Sequence, residues 1–394
     1  MAEEKKRILW IYEKPLRKED GGTERLSATI MEGLRSRGYE CMGFLVLKRL
    51  NDEITYLNER VDDLYSFLKV HRIDIVINQM GYAEWLLKKF YAAGGERWRL
   101  EGGRVITCLH FDPHFPTIHR YALSRHDGMR QTIRKLFRLA LLPYLRYRER
   151  KNYADLFRYL YQASDRFGLL SATHYPFFKK LTRLESYDRL FSIFNPLTFD
   201  EISDPSIIRQ KDKIVLVVAR LSEYHKRISL ILETWKRIHR ESVLNGWTLA
   251  IVGDGPDAAD YKRYVAENRL DDVTFYGQCD PEPFYTKAAL FLLTSPAEGW
   301  GLTLTESLQR GVVPIVMESS PVFREILSDK ETGYLVKNGD TKEFGRKIVT
   351  LAGNCRLRER MAEACLHRAT RFTLDRALDE WEAELNRETD GRKQ

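Results

Sequence analysis

Cysteine is scarce in this chain and badly placed for structural use. The five residues Cys41, Cys108, Cys279, Cys355 and Cys365 are dispersed, odd in number and form no Cys-x-x-Cys pair. Structural disulfides and a zinc knuckle are both disfavoured on that ground, and a reducing, cytoplasmic setting is expected. No apolar run reaches the roughly 18–20 residues that cross a bilayer, and no signal-peptide pattern opens the sequence, so nothing is expected to span a membrane. Gly-x-Gly-x-x-Gly and Walker-type runs are missing too, which leaves a dinucleotide oxidoreductase and a P-loop NTPase without support. No Asp-x-Asp pair stands at a strand end to hold a divalent ion.

What is present is a repeated alternation of apolar strands with amphipathic helices, the pattern of doubly wound parallel α/β sheets. A length of 394 residues suits two such domains of roughly 100–200 residues each. The first half places strands near Ile8 and over Cys41–Leu47, Ile73–Asn78, Val105–Leu109, Gly168–Ser171 and Ser192–Asn195. The second begins near Ile214 and continues with strands at Leu249, Val273, Leu290 and Val313. Asn195-Pro196 and the polar run Asp200–Lys213 mark the hinge, which gives domains over 1–200 and 201–372.

The most informative segment is Glu298-Gly299-Trp300-Gly301-Leu302-Thr303-Leu304-Thr305-Glu306. It follows the apolar run Ala289–Thr294 and opens a helix expected over Thr303–Arg310, closed by Gly311. In a βαβ unit the loop after the strand faces the ligand crevice, and the helix start turns free N–H groups toward an anion. Glu298 is expected in the crevice loop and Glu306 in the first turns of the helix, both facing the ligand. Carboxylates beside a phosphate make sense as acceptors for hydroxyls, one for a sugar ring and one for a ribose. A Glu in a first helical turn is also ordinary dipole complementation.

This pattern resembles the E-x7-E signature of the retaining family 4 glycosyltransferases of GT-B fold, of the bacterial surface-polysaccharide type. A second segment, Val215–Arg227, is similar to the family's "GRL…KG" stretch, and Arg220 and Lys226 fall where an Arg and a Lys clamp the donor diphosphate. Fixed cations there offset the charge that develops on the leaving oxygen. Two departures stand out: Ala219 replaces the usual Gly, and Arg227 replaces the Gly that usually follows Lys, so that the loop is less tight or Arg227 adds a third cation. Leu249–Pro256, with Gly253 and Gly255, matches a strand ending in a glycine turn. Val273–Cys279, with Gly277, resembles the strand and loop whose backbone reads the nucleobase, and Glu331–Val336 resembles the turn after the crevice. Ser319-Ser320-Pro321 stands where relatives often carry a glycine pair, which puts a close backbone approach there in doubt.

In the first half, Gly21-Gly22-Thr23-Glu24-Arg25 opens a helix to Arg37 and resembles the family's "GGxE" loop, with Gly22 near the diphosphate. The strand Val105–Leu109 ends at His110, which in relatives meets donor sugar and acceptor. His110 and His114 have the spacing of a helical metal pair, but Pro113 and the want of acidic ligands at helical spacing disfavour zinc. The resemblance also implies that the closing segment 373–394, with an amphipathic Leu374–Leu385, crosses back to the first domain. The resemblance is strong in the second half and loose in the first.

The formal net charge of +8 favours an anionic partner. Between His119 and Lys151, ten Lys or Arg residues stand against only Asp127 and Glu149. Within that segment Ile133, Leu136, Phe137, Ala140 and Leu141 share one helical face, with Arg134, Lys135 and Arg138 opposite. A helix in the interface of an anionic membrane reads this way, and so does a surface helix docked on its own domain. Nucleic acid is not an expected partner, because no helix-turn-helix, RNP-type or zinc motif accompanies the charge.

Together these features suggest a retaining transferase that moves a sugar from a nucleoside-diphosphate donor, UDP or GDP, to a glycan or lipid-linked glycan in cell-surface polysaccharide synthesis. It would act at the cytoplasmic face of the membrane, with no metal and no cofactor. Arg220, Lys226, Glu298 and His110 are the catalytic candidates. Gly22, Gly277, Gly301, Leu302 and Glu306 are the donor-binding ones. A GT-B-type nucleotide-sugar epimerase would share the fold and the donor but need acid–base carboxylates around the sugar. A basic lipid- or glycan-binding scaffold would need no nucleotide affinity.

Overall fold

The computed structural model describes residues 5–14, 22–114 and 141–387, so Gly21 and the basic stretch 119–140 lie outside the described residues. The described residues form two compact units, the first from residues 5–14, 22–113, 141–196 and 374–387 and the second from 114 and 197–373. The division therefore falls at Pro196/Leu197 and at Thr373/Leu374.

The first unit is built on β1 (Arg7–Tyr12), β2 (Glu40–Leu47), β3 (Ile54–Tyr56), β4 (Glu59–Arg60), β5 (Ile75–Asn78), β6 (Arg104–Leu109), β7 (Arg166–Leu169) and β8 (Leu190–Ser192). Their order is β4-β3-β2-β1-β5-β6-β7-β8. The strands from β2 to β8 in that order run parallel, and β3 and β4 add an antiparallel edge. β5 and β6 are buried along their whole length, as strands covered on both faces must be. Two strands begin earlier than their apolar runs, at Arg104 and Arg166, and the reason is the C-terminal helix Leu374–Asn386. Arg104 donates to the Leu385 carbonyl at 2.9 Å, and Arg166 forms a buried ion pair with Glu384. Each guanidinium enters the sheet because that helix meets it. The same helix packs on the helix Gly22–Ser36, where a Cβ on Gly33 would come within 2.7 Å of Leu378, and Arg37 bridges to Asp379 and Glu382.

The second unit holds six parallel strands: β9 (Asp212–Val218), β10 (Thr248–Val252), β11 (Val273–Gly277), β12 (Ala288–Leu293), β13 (Val313–Glu318) and β14 (Tyr334–Lys337). Their order is β11-β10-β9-β12-β13-β14. The chain leaves β9 in one direction and returns on its other side as β12, so the topological switch lies between these two strands. In the first unit the equivalent point lies between β1 and β5. Ligands of open α/β sheets bind outside the carboxyl ends of the strands at such points.

Candidate functional site

The switch point of the second unit brings together the loops after β9 and β12, which carry most of the residues singled out from sequence. After β9 the chain passes Ala219 and Arg220 and forms a one-turn helix, Glu223–Lys226, where a plain polar loop was expected. Glu223 fixes this turn: its carboxylate accepts from Ser229 Oγ at 2.6 Å and from the Tyr261 hydroxyl at 2.9 Å, while Asp257 accepts the Glu223 amide at 2.7 Å. Lys226 then projects to Glu298, with Nζ to Oε1 at 2.5 Å and side chains 23% and 15% exposed. Arg220 is exposed, and its side chain makes no hydrogen bond among the described residues.

Arg227 does not add a third cation. It sits in the left-handed region at φ 50°, which explains why glycine is the easier residue there. Its side chain turns inward and donates to the carbonyls of Thr294 and Ser295 at 2.7 and 3.2 Å. Burial lowers its pKa from the usual arginine value, yet two carbonyl acceptors leave a guanidinium well satisfied. Thr294 Oγ1 donates back to the Lys226 carbonyl at 2.8 Å, so Arg227 ties the two site loops together.

The pair Ser319-Ser320 also acts on the loop after β12. Ser319 Oγ donates to the Ser295 carbonyl at 2.5 Å and Ser320 Oγ to the Glu298 carbonyl at 3.1 Å. Hydroxyls here pin the Glu298 loop, a role glycines could not fill. Gly301, at φ 98°, starts the helix Leu302–Gln309, which has no side-chain N-cap. Its first amides are left without the usual side-chain acceptor.

Glu306 lies in the second turn of that helix and is only 2% exposed. Thr198 Oγ1 donates to its Oε1 at 2.8 Å. Gln309 and Arg310 strap the same entering segment: Gln309 Nε2 donates to the Phe199 carbonyl at 2.6 Å and Arg310 Nη1 to the Glu201 carbonyl at 2.5 Å. Gly277, at φ 72°, ends β11 with open space where a Cβ would stand, and its carbonyl accepts the Gly253 amide at 2.7 Å.

In the first unit Gly22 is the exposed first residue of its helix. His110 follows β6, and its Nε2 bonds the Gln79 side-chain oxygen. Gln79 was not singled out from sequence, although it directly follows the apolar run of β5. Burial lowers the His110 pKa to about 4, so the ring is neutral near pH 7 and, with Gln79 as the acceptor, carries its proton on Nε2. His110 borders a cavity of about 30 Å³, room for roughly one water. Residues 110–114 are not helical, so His110 and His114 share no helical face. An acidic neighbour is nevertheless present, since Asp112 Oδ1 lies 3.6 Å from His174 Nδ1 with both side chains buried. Among the described residues no helix is long and apolar enough to cross a membrane.

Residues 198–367 match the family described as Glycosyl transferases group 1. Among curated proteins, the chain is 27% identical over 184 residues to the amylovoran biosynthesis glycosyltransferase AmsD of Erwinia amylovora, covering 46% of this chain and 50% of that one. It is 29% identical over 167 residues to the phosphatidyl-myo-inositol mannosyltransferase of Mycobacterium leprae, covering 41% of this chain and 42% of that one. The chain thus spans about half the length of the curated relatives it matches. Among solved structures, HepE of Anabaena in complex with UDP and glucose superimposes with a TM-score of 0.69 at 16% identity, covering 96% of this chain and 99% of that one. At this identity the likeness establishes the fold, which is GT-B, with two Rossmann-like domains.

Proposed function

We propose that this chain, whose residues 198–367 form a glycosyl transferases group 1 domain on a GT-B fold, is a retaining glycosyltransferase acting on a nucleoside-diphosphate sugar. The observation that carries the reading is the convergence of the Arg220–Lys226 loop, the Glu298 loop and the uncapped start of helix Leu302–Gln309 at the switch point of one sheet. Two cations and free helix amides suit a diphosphate, and the adjoining carboxylates suit hydroxyls. UDP is the favoured nucleotide because HepE was solved with UDP and glucose. The acceptor is a glycan or lipid-linked glycan of a surface polysaccharide, the setting that the amylovoran relative's name supplies.

In this mechanism a diphosphate competes with Glu298 for Lys226, since it brings more negative charge than one carboxylate. Glu298 is then released to orient the sugar hydroxyls. Arg220, Lys226 and the amides of Gly301 and Leu302 take up charge as the diphosphate departs. The acceptor hydroxyl attacks from the face the leaving group vacates, and the leaving phosphate takes its proton, so no dedicated base and no metal are required. His110, neutral and holding its proton on Nε2, is suited to hydrogen bonding a sugar and not to supplying a proton. The Gly277 backbone faces the base. Glu306 binds the ribose by accepting a hydroxyl beside that of Thr198, which the lone pairs of a carboxylate permit.

These roles separate experimentally. Glu306→Ala should weaken free UDP and the sugar nucleotide alike, by about 10–100-fold if a charged hydrogen bond of roughly 1.5–3 kcal/mol is lost. Glu298→Ala should spare UDP and impair transfer. Calorimetry showing equal losses of UDP affinity in both variants would contradict the assignment.

Part of the basic stretch is visible at the start of the helix Leu142–Ala163, where Leu141, Tyr144 and Tyr147 are exposed at 41%, 59% and 67%. Arg146, Arg148, Arg150 and Lys151 surround them. Exposed aromatics among arginines fit the headgroup region of an anionic membrane, and peripheral attachment at the cytoplasmic face through this segment is part of the proposal.

A further inference from the structure

The segment 198–203, which enters the second unit, is strapped to the end of helix Leu302–Gln309 and to Arg310 after it. On one side of Thr198 the Leu197 amide donates to the Phe372 carbonyl at 2.8 Å, and on the other the Phe199 amide donates to Gln309 Oε1 at 3.2 Å. Thr198 lies between two anchors. The Phe199 ring is fixed as well, with the Arg310 guanidinium 4.6 Å from its centroid and the Tyr285 ring edge-on at 5.8 Å. Further along, the Gln309 carbonyl accepts the Ser203 amide at 3.0 Å. The backbone beneath the Thr198 hydroxyl is therefore set before any ligand arrives.

That hydroxyl donates to Glu306 Oε1 at 2.8 Å. A threonine side chain is short and stiffened by its branched Cβ, whereas a glutamate is long and loses much more rotamer freedom when it is ordered. The stiff residue thus orders the mobile one. Glu306 is 2% exposed, and a hydrogen bond to an ionised acceptor is stronger than a neutral one, so this bond fixes which way a buried carboxylate faces. A carboxylate offers about four acceptor sites, and accepting from Thr198 does not exhaust it.

We propose that Thr198 is a positioning residue for nucleotide binding: it holds the Glu306 carboxylate in the orientation that accepts ribose hydroxyls, and through it sets the site's preference for ribonucleotides over deoxyribonucleotides. The inference rests on the reading of Glu306 as the ribose ligand. A carboxylate ordered in advance costs little to align when the nucleotide binds, and its contact is lost when the sugar lacks the hydroxyl. Without the Thr198 hydroxyl the carboxylate turns among several rotamers, and the distinction between the two kinds of sugar narrows.

Calorimetry of UDP, 2′-deoxy-UDP and 3′-deoxy-UDP binding to the full chain tests this in Thr198→Val, Thr198→Ala, Thr198→Ser, Glu306→Ala and the Thr198→Val/Glu306→Ala double variant. The wild type should prefer UDP over at least one deoxy analogue by about tenfold or more. Thr198→Val and Thr198→Ala should bind UDP about tenfold more weakly with that analogue little changed, and Thr198→Ser should keep the wild-type preference. Once Glu306 is absent, Thr198→Val should cost nothing more, as expected of a residue that acts only through its partner. A variant that is only less well folded would bind every nucleotide more poorly and leave their ratios unmoved.

The proposal is overturned if Thr198→Val and Thr198→Ala bind UDP as the wild type does, if they weaken UDP and the deoxy analogues equally, or if the loss persists at full size without Glu306. Those results leave the ribose reading standing so long as Glu306→Ala itself weakens UDP. UDP affinity unmoved by Glu306→Ala, or a wild type that binds all the nucleotides alike or none of them, would sink that reading and the proposal with it.

Discussion

An Arg220→Ala/Lys226→Ala double variant should transfer sugar about 100- to 10,000-fold more slowly than the wild type while remaining folded. Each side chain is assigned one charge-assisted hydrogen bond to the departing diphosphate, worth roughly 1.5–3 kcal/mol. Each loss is therefore about one to two decades in rate, and independent losses add. The fold should tolerate the change because, among the described residues, Arg220 makes no side-chain hydrogen bond and the Lys226 side chain donates only to Glu298. The check is kcat with saturating donor, beside a melting curve. Wild-type turnover in a well-folded double variant would mean that the cations serve something other than the leaving group.

Gly253→Ala should have the opposite signature, a large loss of stability. Gly253 stands at the end of β10 with φ 131°, and a Cβ there would lie 2.0 Å from the Ala219 carbonyl oxygen. That oxygen is main chain and cannot rotate away as a side chain would. Left-handed backbone strain of about 1–3 kcal/mol adds to an overpacking cost of about 1–3 kcal/mol. A domain of this size should then melt on the order of 10 °C lower. Gly339→Ala is the control, since φ is 86° there but nothing stands within 4 Å of the added carbon, and it should cost only about 1–2 kcal/mol. Equal melting temperatures for the two variants would show that conformation and not contact governs these positions.

What could be read from sequence was whatever the chain encodes locally. The strands of the second unit are apolar runs bounded by glycine or polar turns, and the motifs sit on strand–loop–helix junctions within a dozen residues. The β3–β4 hairpin was not legible. Its strands have three and two residues, and its turn uses Leu57 and Asn58 at φ 50° and 68°, where Asn-Gly or Asp-Gly would have signalled it. The starts of β6 and β7 were misplaced because a buried arginine contradicts the pattern of a covered strand until its partner is known. Arg104 and Arg166 find theirs on a helix more than two hundred residues away.

The site divides the same way. Arg220, Lys226, Glu298 and Gly301 were singled out by their resemblance to family motifs at strand–loop–helix junctions, whereas their mutual arrangement depends on contacts between distant loops. The Lys226–Glu298 pair, the inward turn of Arg227 onto Thr294 and Ser295, and the hydroxyls of Ser319 and Ser320 on the Glu298 loop all cross from one βα junction to another. Gln79 at His110 is of the same kind. The depth of Glu306 came as a further difference, because the Thr198 segment that covers one face of its helix lies outside the motif.

Thermal melting of the full chain in the presence of UDP-, GDP- and ADP-sugars tests the central claim most directly, that the second unit holds a nucleoside-diphosphate sugar. At about 100 times its dissociation constant, the true donor should add about 2.7 kcal/mol of stability, and the Glu306→Ala variant, binding about 10–100-fold more weakly, should keep only about 0.4–1.4 kcal/mol of that gain at the same concentration. A melting temperature unmoved by every sugar nucleotide in the set would contradict the account.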